Sequence, residues 1–433
     1  MLAAPAVWHF LASSVAPLAD CAASVEPGLQ VLPADGAVTP VPDIDVIVIG
    51  AGPAGSECAR GLSSAGFGVL VLEEHRRAGE PVHCTGIISA HAYSAFDLPT
   101  AAVQSELTAA QLTSPGGVTL RVELNGNRAF AVDRGEVDRE LARRASDSGS
   151  RFCYAVSVKQ LALDRTGVIV SGLCNAEPWS ARARAVVLAT GAKSRLPTQA
   201  GLASSCDHMH GAQAQVPISS PATMQVWLGQ KRVPGGFGWV VPGQAGWSRV
   251  GVLTKGRPRQ VLREIAHCAM NGASECLAET EIRVHPVPSM PRHPTFGDRV
   301  LSVGDAAGQV KMTTGGGVYY GLLAARLASE VLADALKRGR LGSRHLARYE
   351  KLWHGVLGPE QRAGLLLRKL ASAVSDETMD NIFRTAERRG LSRYLLDLVD
   401  FDWHARPGIG LVLAMLAPHA GGSGLGWLRK ALG

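Results

Sequence analysis

Apolar and polar positions alternate with two periods along this chain, and each change of period marks an element. Residues 45–49 form a short β-branched apolar run that stops at Gly50-Ala51-Gly52-Pro53-Ala54-Gly55. A helical pattern follows through Ala65, and 69–72 is a second fully apolar run, closed by Glu73. Strand, glycine turn, helix and strand in this order open a dinucleotide-binding fold. Residues 89–96 read as helix. Residues 118–124 and 129–133 alternate like strands, and Asn125-Gly126 between them predicts a hairpin. Residues 136–146 carry an amphipathic helical period, and 182–189 is a buried strand running into Thr190-Gly191. From 208 to 285, short strands alternate with Gly/Pro turns around one helical stretch near 261–270, the pattern of an antiparallel sheet. Residues 299–303 form another buried strand ending in Gly304-Asp305. A long helix is predicted over 317–336, and helices dominate from 346 onward.

This order predicts an α/β fold in four parts. Residues 45–204 and 296–345 form a discontinuous Rossmann-type cofactor domain, and 205–295 an antiparallel-sheet substrate domain. Residues 346–433 form a helical C-terminal region, and 1–44 a flexible extension. The first sixteen residues are apolar but lack the basic start of a secretory signal, and the extension lacks the arginines of a transit peptide. No apolar run reaches the ~18 residues that a membrane-spanning helix needs. The expected location is cytoplasmic. Residues 409–417 and 425–432 are short apolar stretches, the second ending in Arg429-Lys430. They either dock peripherally on a membrane or pack on the body.

Charge and cysteine content narrow the partners. All 44 basic side chains lie after residue 59, whereas six of the 37 acidic ones lie before it. The body is therefore more basic than the net +7 suggests and favors phosphate or lipid head groups. No Lys/Arg block or zinc-finger spacing is present, so nucleic acid is not an expected partner. The eight cysteines include no CxxC pair, and no metal site is read.

The 49 glycines matter mainly in two clusters. In the first, Gly50 permits the tight turn, Gly52 lets the backbone approach a pyrophosphate, and Gly55 lets helix pack close to strand. Glu73, 18 residues past Gly55, can accept the ribose hydroxyls of an adenosine cofactor. Its neighbor Glu74 points to the other side of the strand end. In the second cluster, Asp305 can accept from a ribityl hydroxyl. Gly315-Gly316-Gly317 then open a helix whose N–H groups suit the pyrimidine part of a reduced flavin. Together the clusters point to FAD.

Gly50–Gly55, Glu73, Ala189-Thr190-Gly191 and Gly304-Asp305 resemble the flavoprotein fold shared by aromatic hydroxylases and geranylgeranyl reductases. Three stretches resemble the geranylgeranyl reductase family in particular. Pro81-Val82-His83-Cys84-Thr85-Gly86 is similar to its P-V-x-C segment, and Phe237-Gly238-Trp239-Val240-Val241-Pro242 to its aromatic-x-W-x-F-P signature. The long 304–317 element is the third. The signature departs in two places: Phe237 stands where Tyr is usual, and Val241 where Phe is usual. The resemblance spans about 45–350. It implies a discontinuous Rossmann-type FAD-binding domain, an antiparallel β-sheet substrate domain and a helical C-terminal region.

The resemblance implies FAD contacts at Ala54 and Glu73 on the adenosine side, and at Cys84 and Thr85 near the flavin. Arg134 follows through the family's R-x-x-x-D element, Arg134…Asp138, and Asp305, Gly316, Gly317 and Val318 complete the set. Cys84 either shapes or protonates the reacting center, or packs as a small residue on the flavin face. His83 is either a proton donor or structural. Phe237 and Trp239 line a prenyl tunnel or fill core, and alternation puts them on one side of a strand. The implied activity is reduction of isoprenoid C=C bonds by hydride from reduced FAD. NADPH or reduced ferredoxin is the implied electron donor. The substrate is an isoprenoid diphosphate or a prenylated lipid or quinone, and the protein is a monomer or homodimer. Two other readings stay open: a flavin hydroxylase of the same fold, and an electron-transfer flavoprotein donating to quinone.

Overall fold

The structure is a computed structural model, and it describes residues 44–124, 128–202, 207–218, 223–244, 246–270, 282–390 and 401–403. The extension before residue 44, the Asn125-Gly126 turn and the apolar stretches 409–417 and 425–432 lie outside the described residues.

A six-stranded sheet anchors the cofactor half. Its order is Phe296–Gly297, Val300–Ser302, Ala185–Leu188, Val46–Ile49, Val69–Leu72 and Arg151–Cys153. The last five run parallel, with Val46 opposite both Ala185 and Val69, and Phe296–Gly297 is antiparallel at the edge. Alternation divides the central strands between two cores. Val46, Val48, Val69 and Val71 face the helices Pro53–Ser64, Arg134–Asp147 and Val318–Lys337. Ile47, Ile49, Leu70 and Leu72 face an antiparallel meander of Val156–Leu163, Val168–Cys174 and Glu177–Ala183. Covering both faces explains why these strands are apolar throughout. The meander itself was not anticipated from the sequence pattern.

The second large sheet has seven strands. Their order is Arg283–Pro288, His208–Val216, Ser248–Thr254, Phe237–Pro242, Thr223–Trp227, Ala109–Thr113 and Thr119–Glu123. It is antiparallel except where Thr223–Trp227 meets Ala109–Thr113. The helix Pro258–Ala269 covers its outer face through Val261, Leu262 and Ile265, packed against Val240, Val250 and Val252.

The expected hairpin does not form. Thr119–Glu123 pairs with Ala109–Thr113, whereas Ala129–Val132 lies between Ile87–Ser89 and Val103–Leu107 in a separate three-stranded sheet. Burial accounts for the difference. Thr119 and Arg121 are exposed and suit an edge strand, whereas Ala129, Ala131 and Val132 are fully buried and take neighbors on both sides. The expected C-terminal helices appear as Ser343–Ala373 and Asp376–Arg388. No described helix is long and apolar enough to cross a membrane.

Candidate functional site

Steric necessity explains two of the first three glycines. Gly50 has φ +105°, and a Cβ there would lie 2.3 Å from the Ala189 carbonyl oxygen. A Cβ on Gly55 would lie 1.9 Å from the Gly50 carbonyl oxygen, so glycine is what lets the helix start against the strand. Gly52 differs: a Cβ there would meet nothing within 4 Å. Gly52 caps the Pro53–Ser64 helix without a side-chain bond, so no capping side chain takes its first N–H groups. An open approach to a positive helix end suits a phosphate. Glu73 stands beside this turn. Its Oε2 accepts from the Ala51 N–H at 2.8 Å, and its Oε1 from the His75 N–H at 3.0 Å. The His75 ring Nδ1 lies 2.6 Å from Oε1. A carboxylate has about four lone-pair positions, so acceptor capacity remains for a further donor.

The second glycine cluster meets the first from the strand Val300–Ser302, two places along the sheet from Val46–Ile49 with Ala185–Leu188 between them. Gly304, at φ +66°, passes so close to Ala54 that a Cβ would sit 3.0 Å from the Ala54 Cβ. Gln309 accepts from the Gly304 N–H at 2.7 Å and donates to the Tyr349 hydroxyl at 2.7 Å; that hydroxyl donates to Ser302. These bonds hold Asp305 in place at the strand end. A Cβ on Gly317 would lie 2.6 Å from Asp305 Oδ1. The Asp305 side chain keeps a partial opening to solvent. Burial nevertheless pushes its carboxyl up to about 6, against the pull of Arg134 and Arg292. Gly315 has φ +73°, and a Cβ there would press on Val287 of the seven-stranded sheet. Gly316 lies against Lys311, and Val318 begins the following helix.

Cys84 and Thr85 lie between two buried arginines and the second sheet. Arg134 donates to Asp138 at 2.7 Å, and its Nε is buried without a partner among the described residues. Burial works against the Arg134 charge, but Asp138 and the Cys84 thiol outweigh it and raise its pKa. Arg249 donates to the Val132 carbonyl at 2.7 Å and to Gln104 at 3.0 Å. Burial lowers its pKa, with Cys84 opposing. Gly86, at φ +75°, lets the segment pass, since a Cβ would touch Val132, Arg134 and Arg249. Thr85 Oγ1 donates to Gln213 Oε1 at 3.3 Å, and Gln213 Nε2 reaches the Cys84 carbonyl at 3.5 Å.

Gln213 connects this segment to the aromatic pair. Trp239, Gly251, Gln213 and Arg283 form one cross-strand row, and Phe237, Leu253, Gly211 and His285 the next. The Phe237 and Trp239 rings are 5.4 Å apart. The Trp239 ring lies across Gly251, where a Cβ would meet it at 2.3 Å. This inner face therefore offers aromatic rings and glycine floor beside Cys84. His83 takes a different direction from its neighbor and stacks on His285, with ring centroids 4.8 Å apart.

The sequence reading missed several residues here: Arg249, Gln213, Arg292, His285 and a latch around Asp402. Asp402 accepts from Ser89 Oγ at 2.5 Å and from Lys311 Nζ at 3.1 Å, and Lys311 Nζ also donates to the Phe401 carbonyl at 2.6 Å. Tyr320 donates to the Asp402 carbonyl at 3.0 Å, and Trp403 packs against Tyr319 and Tyr320. Residues 401–403 thus tie the loop before Gly315 to Ser89 and to the start of the Val318–Lys337 helix. A wide cleft of about 700 Å³ lies elsewhere, among Pro115, Arg232, Arg263, His267 and Asp376, and includes none of the expected site residues.

The arrangement fits a dinucleotide with a polyhydroxyl linker. Gly52 is open, Arg134 Nε and Thr190 Oγ1 are buried without partners among the described residues, and Asp305 presents a carboxyl with a partial opening to solvent. Residues 44–222 match the pyridine nucleotide-disulphide oxidoreductase family model. The chain is 30% identical to digeranylgeranylglycerophospholipid reductase 2 of Methanothermobacter thermautotrophicus, over 80% of this chain and 93% of that one. It is 32% identical to digeranylgeranylglycerophospholipid reductase 1 of Methanopyrus kandleri, over 72% of this chain and 86% of that one. Its fold is similar to the crystal structure of a geranylgeranyl bacteriochlorophyll reductase-like protein from Thermoplasma acidophilum. The TM-score is 0.74 and the identity 21%, covering 89% of this chain and 98% of that one. The chain belongs to the geranylgeranyl reductase family of FAD-dependent oxidoreductases.

Proposed function

We propose that this enzyme saturates C=C bonds of an isoprenoid chain, carried by an isoprenoid diphosphate or by a prenylated lipid or quinone. The observation that carries the reading is the placement of Cys84 and Thr85 against the Phe237–Trp239 face through Gln213. Bound FAD, reduced by NADPH or a ferredoxin, supplies the hydride. Gly50, Gly52, Ala54, Gly55 and Glu73 hold the adenosine and pyrophosphate portion. Arg134 and Asp305 hold the linker, and Gly316, Gly317 and Val318 border the ring. Cys84, beside the Arg134 guanidinium, supplies or guides the proton that balances the hydride at the second alkene carbon, and Thr85 positions that segment. His83, next to Cys84 in the chain, is a second proton source. Phe237 and Trp239 align the chain and exclude water, which an unactivated alkene needs more than polarization. The cofactor-holding part is 45–204 with 296–345. The sheet of 205–295, extended by residues 109–123, takes the isoprenoid, and peripheral contact with a membrane gives the lipid its entry.

The test is anaerobic incubation of holoenzyme with dithionite and geranylgeranyl diphosphate. The reading expects products carrying an added hydrogen pair per reduced double bond, seen by mass spectrometry. A product with an added oxygen atom, formed only in air from an aromatic substrate, overturns it in favor of a hydroxylase.

A further inference from the structure

A group of basic side chains gathers where the second sheet's outer strand meets the cofactor half. His285 stacks on His83. Arg292 is buried and donates to the carbonyls of Ala192 and Ala306, both at 3.3 Å, and its Nη2 lies 3.1 Å from His208 Nε2. Lys193, which follows Ala192, is exposed. Among the described residues, two polar atoms in this group are buried without a hydrogen-bond partner, Arg292 Nε and His285 Nδ1. Burial, then His83, Lys193 and His208, lower the His285 pKa to about 4, and among the described residues no carboxylate opposes them. The acids nearby act elsewhere in the group: Asp207 on His208, and Asp305 against Arg292. A buried guanidinium N–H and a buried imidazole nitrogen left unpaired beside a lysine are costly unless an anion completes them. His285 shares a cross-strand row with Phe237, so the basic group stands at the outer end of the aromatic face.

We infer that Lys193, His208, His285 and Arg292 form a binding site for a phosphoryl or diphosphoryl group at the mouth of the isoprenoid groove. This rests on the proposed function for its link to the groove. The charged ester sits at this mouth while the apolar chain runs inward along Phe237 and Trp239. A phosphate on a nucleotide reductant offers the same chemistry.

The test titrates FAD-saturated holoenzyme with inorganic pyrophosphate by calorimetry. Wild-type protein is expected to bind, and the double variant Lys193→Ala/His285→Gln to bind about tenfold more weakly. For an isoprenoid head group, the variant raises KM for geranylgeranyl diphosphate under dithionite but leaves uncharged geranylgeraniol unchanged. For a nucleotide, it raises KM for NADPH and leaves both isoprenoids unchanged. Absence of pyrophosphate binding by wild-type holoenzyme, or equal binding by the variant, overturns the site. Geranylgeraniol reduction reads the proposed function separately, because that substrate has no phosphate.

Discussion

Asp305→Asn should make the apoprotein more stable at neutral pH while weakening its hold on FAD. Burial raises the Asp305 carboxyl from 3.8 to about 6, and Arg134 and Arg292 only partly oppose the shift. A carboxyl raised in the folded state contributes stability below its unfolded pKa and loses that contribution as pH rises through the folded value. Ionized at neutral pH, it costs about 3 kcal/mol. The side chain's partial opening to solvent screens some of this, so a gain of about 1–2 kcal/mol is expected on replacing it with Asn. Asn cannot ionize, so the gain should shrink as pH falls through 6 and vanish below about pH 4. Urea denaturation of apoprotein at a series of pH values measures it, alongside FAD titration of the same samples. In the proposed placement a ribityl hydroxyl donates to the carboxylate, so the FAD affinity must move the other way. An Asn variant no more stable than wild type at neutral pH, or equally stabilized at low pH, refutes the reasoning.

Glu73→Ala removes the acceptor for the Ala51 and His75 N–H groups as well as the proposed ribose contact. FAD affinity should fall about tenfold or more, as a lost hydrogen bond to a charged group implies, and unchanged FAD retention on gel filtration would reassign the contact. Asp402→Ala leaves the Lys311 ammonium buried with its carboxylate gone; it should cost about 3–5 kcal/mol by urea denaturation. Adding Lys311→Met should recover much of that, and a single-variant loss under about 1 kcal/mol would remove the latch from the account.

The parts of this fold legible in the sequence are those with local causes. The turn at Gly50 and the helix start at Gly55 follow from collisions a Cβ would make with Ala189 and Gly50. Such collisions recur wherever strand, turn and helix meet this tightly, so a glycine pattern reports them. The strands Val46–Ile49 and Val69–Leu72 were legible for a related reason: burial on both faces leaves an unbroken apolar run. Pairing partners were not. Asn125-Gly126 is a good hairpin signal, yet the strands beside it join different sheets, because the buried Ala129–Val132 needs two neighbors and the half-exposed Thr119–Glu123 can end a sheet. A turn signal acts over a few residues and cannot report which distant strand competes for an edge.

The side-chain networks were illegible for the same physical reason, taken further. Ser89 and Asp402 are 313 residues apart in the chain and 2.5 Å apart in space. Gln213 meets the Cys84 segment from 129 residues away. Neither contact leaves a spacing pattern, since a Ser, Gln or Asp at one position fits many environments equally well. The glycines of the two clusters and the side chains around them therefore encode different things. Gly50, Gly55, Gly304 and Gly317 mark where backbone must pass close to backbone or to a side chain. Arg134, Arg249, Asp402 and Lys311 set the charge of that place, and their pairing exists only after the sheets assemble. The Asp402 latch joins the loop before Gly315 to Ser89 and the start of the long helix. A motif can thus announce that a tight glycine loop is present, while what holds that loop in place includes a residue far along the chain.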